Sequence, residues 1–349
     1  MRVMIDVVHP AHVHFYRNLW SELVARGDEV LVVSRDKDVT LALLDHFGIE
    51  HVPVGRAGRR SIVGHGLELA HRDLALIRLG RRFRPDIVLT RNPAGVQAAR
   101  ILRVPGVFDT DDGTAAGIHW RAAAPFATVI TSSVSLGEDH GSRHWRYQGY
   151  KALTPLHPAR FTPDPTVRQR LGLSPGERLF VVRFVAMAAS HDLGESGMAE
   201  TMKRELVALL GARGRVVISS EAPLPPDLAH LAFPLDATEL HDALAAADLV
   251  VGDSQTVTAE AALLGTPAVR ASSFTGRLEY LRELEERYGL VRSFRPDDED
   301  AIRAAVLELA DDPDVGATWL ARRATMLAEQ VDVTAWYLDL VDLVVARHR

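Results

Sequence analysis

The chain has 349 residues, 47% of them hydrophobic and 25% charged, with 46 acidic against 40 basic side chains for a net charge of −6. This composition is typical of a soluble globular protein, is too long for one ordinary core, and gives no global reason to expect a nucleic-acid partner. There is no cysteine, which excludes disulfides, thiolate catalysis and cysteine zinc sites. No secretory apolar segment and no stretch of membrane-spanning length is present, so we expect a cytoplasmic protein.

Short apolar strands alternate with helices along the first half of the chain. A β-branched run at residues 2–8 is followed by a turn and by apolar residues at helical spacing up to Gly27. A helix is predicted at residues 39–47. Further strands are predicted at residues 30–34, 86–90, 105–109 and 128–131. This alternation indicates βαβ units and a parallel sheet.

Three histidines, His9, His12 and His14, follow the first predicted strand. They fall in the strand-to-helix turn, with Pro10 at the first helical position and His9 near the cap. His9 and His12 can share a side, but no third ligand is near in sequence, which argues against a metal site. A helix N-terminus lowers a histidine pKa and favours the neutral base, so acid–base chemistry is the better hypothesis. A polar helix rim is the alternative, above all for His14.

The segment from residue 55 to residue 85 is strongly basic. Its arginines are residues 56, 59, 60, 72, 78, 81, 82 and 84, against two acidic residues, with leucines interleaved. In an otherwise acidic protein, such an amphipathic helix suits peripheral contact with anionic lipid at the inner face of the membrane, and hence a lipid-linked acceptor. The alternative is a solvated helix packed on the sheet.

Charged residues follow the next two predicted strands. Arg91 comes directly after the strand at 86–90 and is a candidate for contact with an acceptor. Asp109 and Asp111 follow the next strand, in a triplet similar to the metal-binding DxD motif of GT-A glycosyltransferases, although three residues carry little weight. Each carboxylate is a candidate for general base or for the orientation of a histidine, with ordinary turn residues as the alternative.

A proline-rich stretch interrupts this pattern, and a second series of strands and helices follows it. We expect an N-terminal domain at residues 1–152, a linker at 153–176, a second domain at 177–330, and a C-terminal helix at 331–349 that packs back on the first domain. The later strands are predicted at 178–185, 215–219, 248–252 and 267–271, and the last helices at 298–310, 315–330 and 333–346.

Arg183 lies near the end of the first strand of the second half. A guanidinium there is costly to bury without a partner, so we expect it to meet an anion. Ser190 and His191 follow in the loop before the next helix. The alternative is a structural ion pair, for instance with Asp192 or Asp253.

The most informative segment spans residues 248–267. A buried strand leads into Ser254, a suitable N-cap, and a helix at 255–264 closed by glycine. The amides of its first turn make a site for phosphate. Thr256 and Glu260 are four residues apart on one face, so the Glu260 carboxylate is placed to accept both hydroxyls of a ribose beside that phosphate. A solvated glutamate on an ordinary helix is the alternative.

The run DSxxxxxEAxxLGxP at residues 253–267 resembles the nucleotide-sugar site of GT-B glycosyltransferases, and still more that of the non-hydrolysing UDP-N-acetylglucosamine 2-epimerases, which share the fold. The resemblance implies that the turn holds the diphosphate and that the glutamate holds the ribose. Gln255 and Thr256 occupy positions at which those epimerases usually have two glycines. We therefore expect side-chain contacts with the phosphate in place of a close approach of the backbone. The residues given these roles are Ser254, Gln255, Thr256 and Glu260. His191 matches the histidine of an epimerase His-Arg pair, with Arg183 supplying the second positive charge.

Resemblance extends over the whole length, through DVVHPAHVHFYRN, SRDKDVT, GYK at 149–151, RFVAMAASHDLG, GDSQTVTAEAALLGTPAVR and SFTGRLEYLRELEERYGL. These segments resemble one prokaryotic family of uncharacterised GT-B-like proteins. The resemblance implies an α/β fold with two doubly wound Rossmann-like domains facing an interdomain cleft. GT-B enzymes often carry a histidine on the first loop, which makes His12 the leading base over Asp109 and Asp111. They work without a bound metal, so no metal or cofactor is expected. His9, Arg91 and Lys151 are the other cleft candidates.

The resulting hypothesis is glycosyl transfer from a nucleoside diphosphate sugar, with UDP as the expected nucleotide, to a hydroxyl acceptor. Two alternatives stay open. One is epimerisation of the sugar at C2 by elimination and re-addition of the nucleotide, and the other is a non-catalytic nucleotide-sugar-binding protein.

Overall fold

The computed structural model describes residues 1–37, 39–56, 62–185, 197–273 and 275–348, and for residues 56 and 62–67 it describes the backbone alone. Within these ranges the strands, in chain order, are β1 (Arg2–Val7), β2 (Glu29–Asp36), β3 (His51–Arg56), β4 (Ile87–Thr90), β5 (Gly106–Asp109), β6 (Val129–Ser133), β7 (His144–Tyr147), β8 (Leu179–Phe184), β9 (Arg215–Ser220), β10 (Leu249–Gly252), β11 (Ala268–Ala271) and β12 (Val291–Phe294).

The α-helices alternate with these strands, as the sequence pattern predicts. They are α1 (Pro10–Ala25), α2 (Thr40–His46), α3 (Ile62–Phe83), α4 (Pro93–Leu102), α5 (Ile118–Ala123), α6 (Leu153–Leu156), α7 (Val167–Arg170), α8 (Glu200–Gly211), α9 (Leu240–Ala246), α10 (Gln255–Leu264), α11 (Glu279–Glu286), α12 (Glu299–Asp311), α13 (Val315–Glu329) and α14 (Val333–His348).

The chain divides into two compact units. The first comprises residues 1–160 together with 330–349, and the second comprises residues 161–329. The division falls inside the stretch for which the prolines predict a linker, and that stretch contains the short helices α6 and α7. Helix α14 returns to the first unit, where it contacts α1 and α6.

The first unit is built on a seven-stranded sheet in the order β3-β2-β1-β4-β5-β6-β7, with every pair parallel. The chain starts in the middle of the sheet, so the strand order reverses between β1 and β4. In doubly wound sheets, ligands bind outside the carboxyl ends of the strands at such a switch point. The turns that begin after β1 and after β4 therefore frame the expected ligand edge of this unit.

The second unit repeats the plan with five parallel strands in the order β12-β11-β10-β8-β9. Its switch point lies between β8 and β10. The turn after β10 carries Asp253 and Ser254, so the most informative sequence motif lies where this topology places a ligand.

Local caps explain where the helices at both switch points begin. His9 is the N-cap of α1, its Nδ1 accepts the Ala11 N–H at 3.2 Å, and Pro10 follows it, as the sequence predicts. Ser254 is the N-cap of α10, and its Oγ accepts the Val257 N–H at 3.3 Å. Gly265 ends α10 in the left-handed conformation, with φ of 83°, which glycine adopts without steric cost.

Helix α3 contains much of the basic segment, and part of its described apolar face is buried, although Leu74 is exposed. Leu76 and Ile77 are buried in a core cluster with β1, β2 and α4. Arg72 is also buried, 2.5 Å from the buried Asp6 carboxylate. A helix packed on the sheet was one of the two interpretations of the basic segment. Contact with lipid stays a prediction. Within the described residues, no helix has the length and apolar character needed to cross a membrane.

Candidate functional site

Six sequence-predicted residues lie at the carboxyl edge of the first unit's sheet and form what we call the strand-end cluster: His9, His12, Arg91, Asp109, Asp111 and Lys151. Arg91 connects the two carboxylates, because its Nε lies 3.0 Å from Asp109 Oδ1 and its Nη2 lies 2.5 Å from Asp111 Oδ1. Lys151 forms a second ion pair with Asp111. The charges of Arg91, Lys151 and Asp111 all act on the His12 ring, and the His9 and His12 ring centroids are 6.1 Å apart.

Asp109 is the most enclosed member of the cluster, with 1% of its surface exposed. Its Oδ2 accepts hydrogen bonds from the hydroxyls of Tyr337 at 2.6 Å and Thr131 at 3.1 Å, and the Tyr147 hydroxyl makes a longer contact at 3.4 Å. With Arg91 at its other oxygen, the carboxylate is surrounded by donors from its own unit. The geometry therefore suits a residue that holds Arg91 in place better than one that takes a proton from a substrate.

Asp111 differs from Asp109 in exposure and in the direction of its pKa shift. Burial, together with the nearby charge of Asp111, raises the pKa of Asp109 above its ordinary value, although Arg91 opposes the shift. Burial also acts to raise the pKa of Asp111, but Arg91 and Lys151 outweigh it and hold that pKa well below its ordinary value. Asp111 has 35% of its side chain exposed and is therefore the anionic, accessible carboxylate of the pair.

His12 is partly buried beside these charges. Burial, then the charges of Arg91, His9 and Lys151, lower its pKa well below the ordinary 6.5, and Asp111 opposes them. The ring is therefore neutral at neutral pH. Its Nδ1 accepts the Val8 N–H over 3.4 Å, which places the proton of the neutral ring on Nε2.

In the second unit, the start of α10 provides the amides that the sequence predicts. Ser254 is 7% exposed and its hydroxyl caps the helix, which leaves the N–H groups of Gln255 and Thr256 without a helical acceptor. Gln255 is partly exposed and Thr256 is exposed. An anion at this position would meet these two amides and the positive end of the helix dipole.

Glu260 lies one turn further along α10, and its side chain is only 13% exposed. Its Oε1 is 3.3 Å from Nε2 of His241, a buried residue of α9. The carboxylate is therefore held in a defined position near the face that carries Thr256. The structure thus differs from the alternative interpretation of the sequence, in which Glu260 extends into bulk solvent.

Arg183 lies at the end of β8 with 17% of its side chain exposed. It donates to Ser219 Oγ at 2.7 Å and pairs with Glu221 at 2.8 Å. The structural ion pair considered from the sequence thus exists, but with Glu221 and not with Asp253. Ser190, His191 and Asp192 lie outside the described residues.

Asp253, directly before Ser254, faces the first residue after β8. Its Oδ1 accepts the Val185 N–H at 2.8 Å, and its Oδ2 lies 3.8 Å from the Lys203 ammonium. Burial raises the pKa of Asp253 to about 6. This carboxylate ties the ends of the two switch-point strands together.

Sequence reasoning missed the partners that hold the candidate residues. Tyr337, Tyr147 and Thr131 surround Asp109, and His241 meets Glu260. Tyr337 is 228 positions away from Asp109 along the chain, and no local pattern connects the two. His241 carried a weak signal, since it is a polar residue within an alanine-rich helical segment.

No group of three or more His, Asp, Glu or Cys side chains arranged to hold a metal ion is found in the described part of the chain. Two surface hollows of about 560 and 490 Å³ open in the second unit. They lie beside the amino ends of strands, near Arg215 for one and Asp248 for the other. That edge is opposite to the one at which doubly wound sheets bind ligands, so we do not assign the candidate site to either hollow.

The N-terminal part of the chain matches a protein family without an assigned activity. Residues 1–138 match the family model described as "Protein of unknown function (DUF354)". No curated protein matches the sequence.

Solved structures resemble the chain over nearly its full length. A putative UDP-N-acetylglucosamine 2-epimerase from Listeria monocytogenes is 17% identical, with 98% of this chain and 95% of that chain covered and a TM-score of 0.67. The glycosyltransferase VinC in complex with dTDP is 16% identical, covers 99% and 100%, and has a TM-score of 0.65. The 2-epimerase from Neisseria meningitidis bound to UDP-GlcNAc is 14% identical, covers 94% and 100%, and has a TM-score of 0.61.

These likenesses, with the two parallel α/β sheets, establish the fold. The protein has the GT-B fold of two Rossmann-like domains, which confirms the fold predicted from the sequence. Because glycosyltransferases and epimerases are both among the similar structures, the fold does not select one reaction.

Proposed function

We propose that the protein is a glycosyltransferase that moves a sugar from a nucleoside diphosphate sugar, with UDP as the first nucleotide to test, to a hydroxyl acceptor. The second unit binds the donor and the first unit binds the acceptor. The observation that carries the proposal is the position of Glu260, whose carboxylate is held against His241 one turn beyond the amide-rich start of α10.

The donor side uses charges fixed by the fold. Diphosphate oxygens would accept the Gln255 and Thr256 amides, and the helix dipole would stabilise the negative charge that develops on the leaving group. The Glu260 carboxylate would accept the ribose hydroxyls. Arg183 adds a guanidinium at the end of the neighbouring strand, where Glu221 and Ser219 orient it.

The acceptor side uses His12 as general base. As the acceptor oxygen bonds to the anomeric carbon, His12 takes the acceptor's proton, and the anomeric carbon–oxygen bond breaks with its electron pair going to the nucleoside diphosphate. The lowered pKa keeps the ring neutral and ready for this role. If Nε2 is the accepting nitrogen, the proton must move to Nδ1, and the long contact with the Val8 N–H is then lost.

Four charged neighbours surround this base. Asp111, anionic and partly exposed, holds Lys151 and Arg91 at the edge that His12 occupies. Asp109 anchors the other side of the Arg91 guanidinium from within the core. Asp111 is the rival base, and its low pKa makes it a weaker proton acceptor than His12.

The test uses a UDP-sugar in deuterated water, with and without a panel of hydroxyl acceptors that includes lipid-linked ones. Transfer predicts that UDP is released in proportion to acceptor and that recovered donor carries no deuterium at C2. Deuterium at C2 without an acceptor would identify the epimerase alternative, which needs acid and base on one sugar. Binding that survives His12→Ala, without turnover under any condition, would identify a non-catalytic binding protein.

A further inference from the structure

Arg270, on β11, is a buried cation without a carboxylate partner in the described part of the chain. It is 1% exposed, and its Nε and Nη1 have no hydrogen-bond partner among the residues that the structure describes. Its Nη2 makes one long contact, 3.3 Å from Thr275 Oγ. Among the described residues of the first unit, the two buried arginines are different, because Arg72 lies 2.5 Å from Asp6 and Arg91 lies between two aspartates.

Burial lowers the pKa of Arg270 below its ordinary value, and Tyr280 and Glu285 oppose this only in part. Removing a guanidinium from water without a counter-charge is energetically unfavourable. Arginine stays charged at neutral pH, so this cost persists in the absence of a ligand. A fold that retains such a group is expected to use it to bind an anion.

The position of Arg270 indicates which anion. Gly252 is in register with Arg270 on one side and with Arg183 on the other. Side chains in register on parallel strands point to the same face, so Arg183 and Arg270 flank Gly252 on one face of the sheet, with their Cα atoms about 10 Å apart. A Cβ on Gly252 would lie 2.3 Å from the Arg183 carbonyl oxygen, so no side chain can fill this place without moving the backbone. Helix α10 begins three residues later.

We infer that Arg270 binds an oxyanion of the donor, either a phosphate of the nucleoside diphosphate or a carboxylate on its sugar. This inference rests on the proposed function and adds a ligand to its donor site. The Nε and Nη1 N–H groups donate to the oxyanion, while the Thr275 contact can stay in place.

The test measures the melting temperature of the full chain with inorganic pyrophosphate, UDP or UDP-glucuronate. Arg270→Met removes the charge and keeps the apolar stem, and Arg292→Met is the matched control, because Arg292 lies on the neighbouring strand and is paired with Glu308. Without ligand, we expect Arg270→Met to melt at the wild-type temperature or above, since an uncompensated buried charge is gone. With ligand, we expect it to lose most of the stabilisation that the wild type and Arg292→Met show.

The ligands separate the two sources of the oxyanion. If the rise in melting temperature with pyrophosphate and with UDP depends on Arg270, the oxyanion is a phosphate. If only the extra rise that UDP-glucuronate gives over UDP depends on Arg270, the oxyanion is a sugar carboxylate. A full ligand-induced rise in the melting temperature of Arg270→Met, or failure of this variant to fold, would overturn the inference.

The variant Glu260→Ala distinguishes this inference from the proposed function. If UDP no longer raises the melting temperature of Glu260→Ala but still raises that of Arg270→Met, the proposed function is supported and the inference about Arg270 is wrong. If pyrophosphate raises the melting temperature only when Arg270 is present and UDP does not raise it at all, the oxyanion site is supported and the proposed function is wrong.

Discussion

The Tyr337 hydroxyl lies 2.6 Å from Asp109 Oδ2, so the last helix of the chain donates a hydrogen bond to the carboxylate that ends β5. Both residues are 1% exposed, and Asp109 in turn pairs with Arg91. Helix α14 is therefore connected to the candidate acceptor side through a buried chain of polar contacts. A buried polar network in which one group loses its hydrogen-bond partner is destabilised, so mutation of its members has a measurable effect on stability.

Tyr337→Phe is expected to destabilise the protein by about 1–3 kcal/mol, because a buried carboxylate loses a short hydrogen bond. Tyr147→Phe is the matched control. It removes the same hydroxyl from a residue of equal burial, but that hydroxyl is 3.4 Å from Asp109, beyond ordinary hydrogen-bond length. Urea unfolding of both variants checks the difference, and equal losses would show that the Tyr337 contact has no special role.

Arg91→Met is expected to cost about 3–5 kcal/mol of unfolding free energy, since it leaves the buried Asp109 carboxylate without its cation. The double variant Arg91→Met with Asp109→Asn should recover part of this loss, because the amide oxygen still accepts from Tyr337 and Thr131. Denaturant unfolding of the two single variants and the double variant gives the coupling. Strictly additive losses would contradict a buried ion pair.

The His12 pKa predicts how stability depends on pH. Burial, then the charges of Arg91 and His9, place this pKa well below 6.5. Between the folded value and 6.5 the unfolded chain binds more protons at this residue, so the free energy of unfolding rises with pH through that window. The stability of the wild type relative to His12→Gln should therefore shrink as the pH falls below 6.5. Unfolding at several pH values measures it, and a constant difference would refute the lowered pKa.

Asp111→Asn is expected to lower the His12 pKa further, because the Asp111 charge is the one that raises it. Its exposed neighbour Asp112 is not among the main charges that shift the His12 pKa, which makes Asp112→Asn the control. Proton NMR titration of the His12 ring follows both variants. An upward shift in Asp111→Asn, or equal shifts in the two, would mean that the carboxylate does not face the ring as described. In a transfer assay, the acidic limb of kcat/KM should move in the same direction as the pKa.

The central strands could be predicted from the sequence, but of the four edge strands only β9 was predicted. Strands buried on both faces, such as β1 and β10, are continuous apolar runs, and both appear within one residue of the predicted bounds at each end. The strands that were missed, β3, β7 and β12, are all at sheet edges. An edge strand is partly solvated, so its apolar run is broken, and β3 even carries Pro53, which an edge tolerates.

The candidate site divides in the same way. Residues directly after strands could be named, because topology sends every such turn of a parallel sheet to one edge. Their partners could not be named, since Tyr337 and His241 reach Asp109 and Glu260 through tertiary packing that leaves no local pattern. Arg270 also escaped notice, because an arginine inside a strand is uninformative until its burial and missing counter-charge are known.

The most direct test of the donor site is calorimetric titration of UDP into the wild type and Glu260→Ala, with Glu283→Ala as a control for loss of a partly buried glutamate in the same unit. Hydrogen bonds from ribose hydroxyls to a carboxylate are worth about 1.5–3 kcal/mol, so Glu260→Ala should bind UDP at least about tenfold more weakly. Glu283→Ala should bind like the wild type. Equal affinity of Glu260→Ala and the wild type, or no binding of UDP to either, would contradict the account.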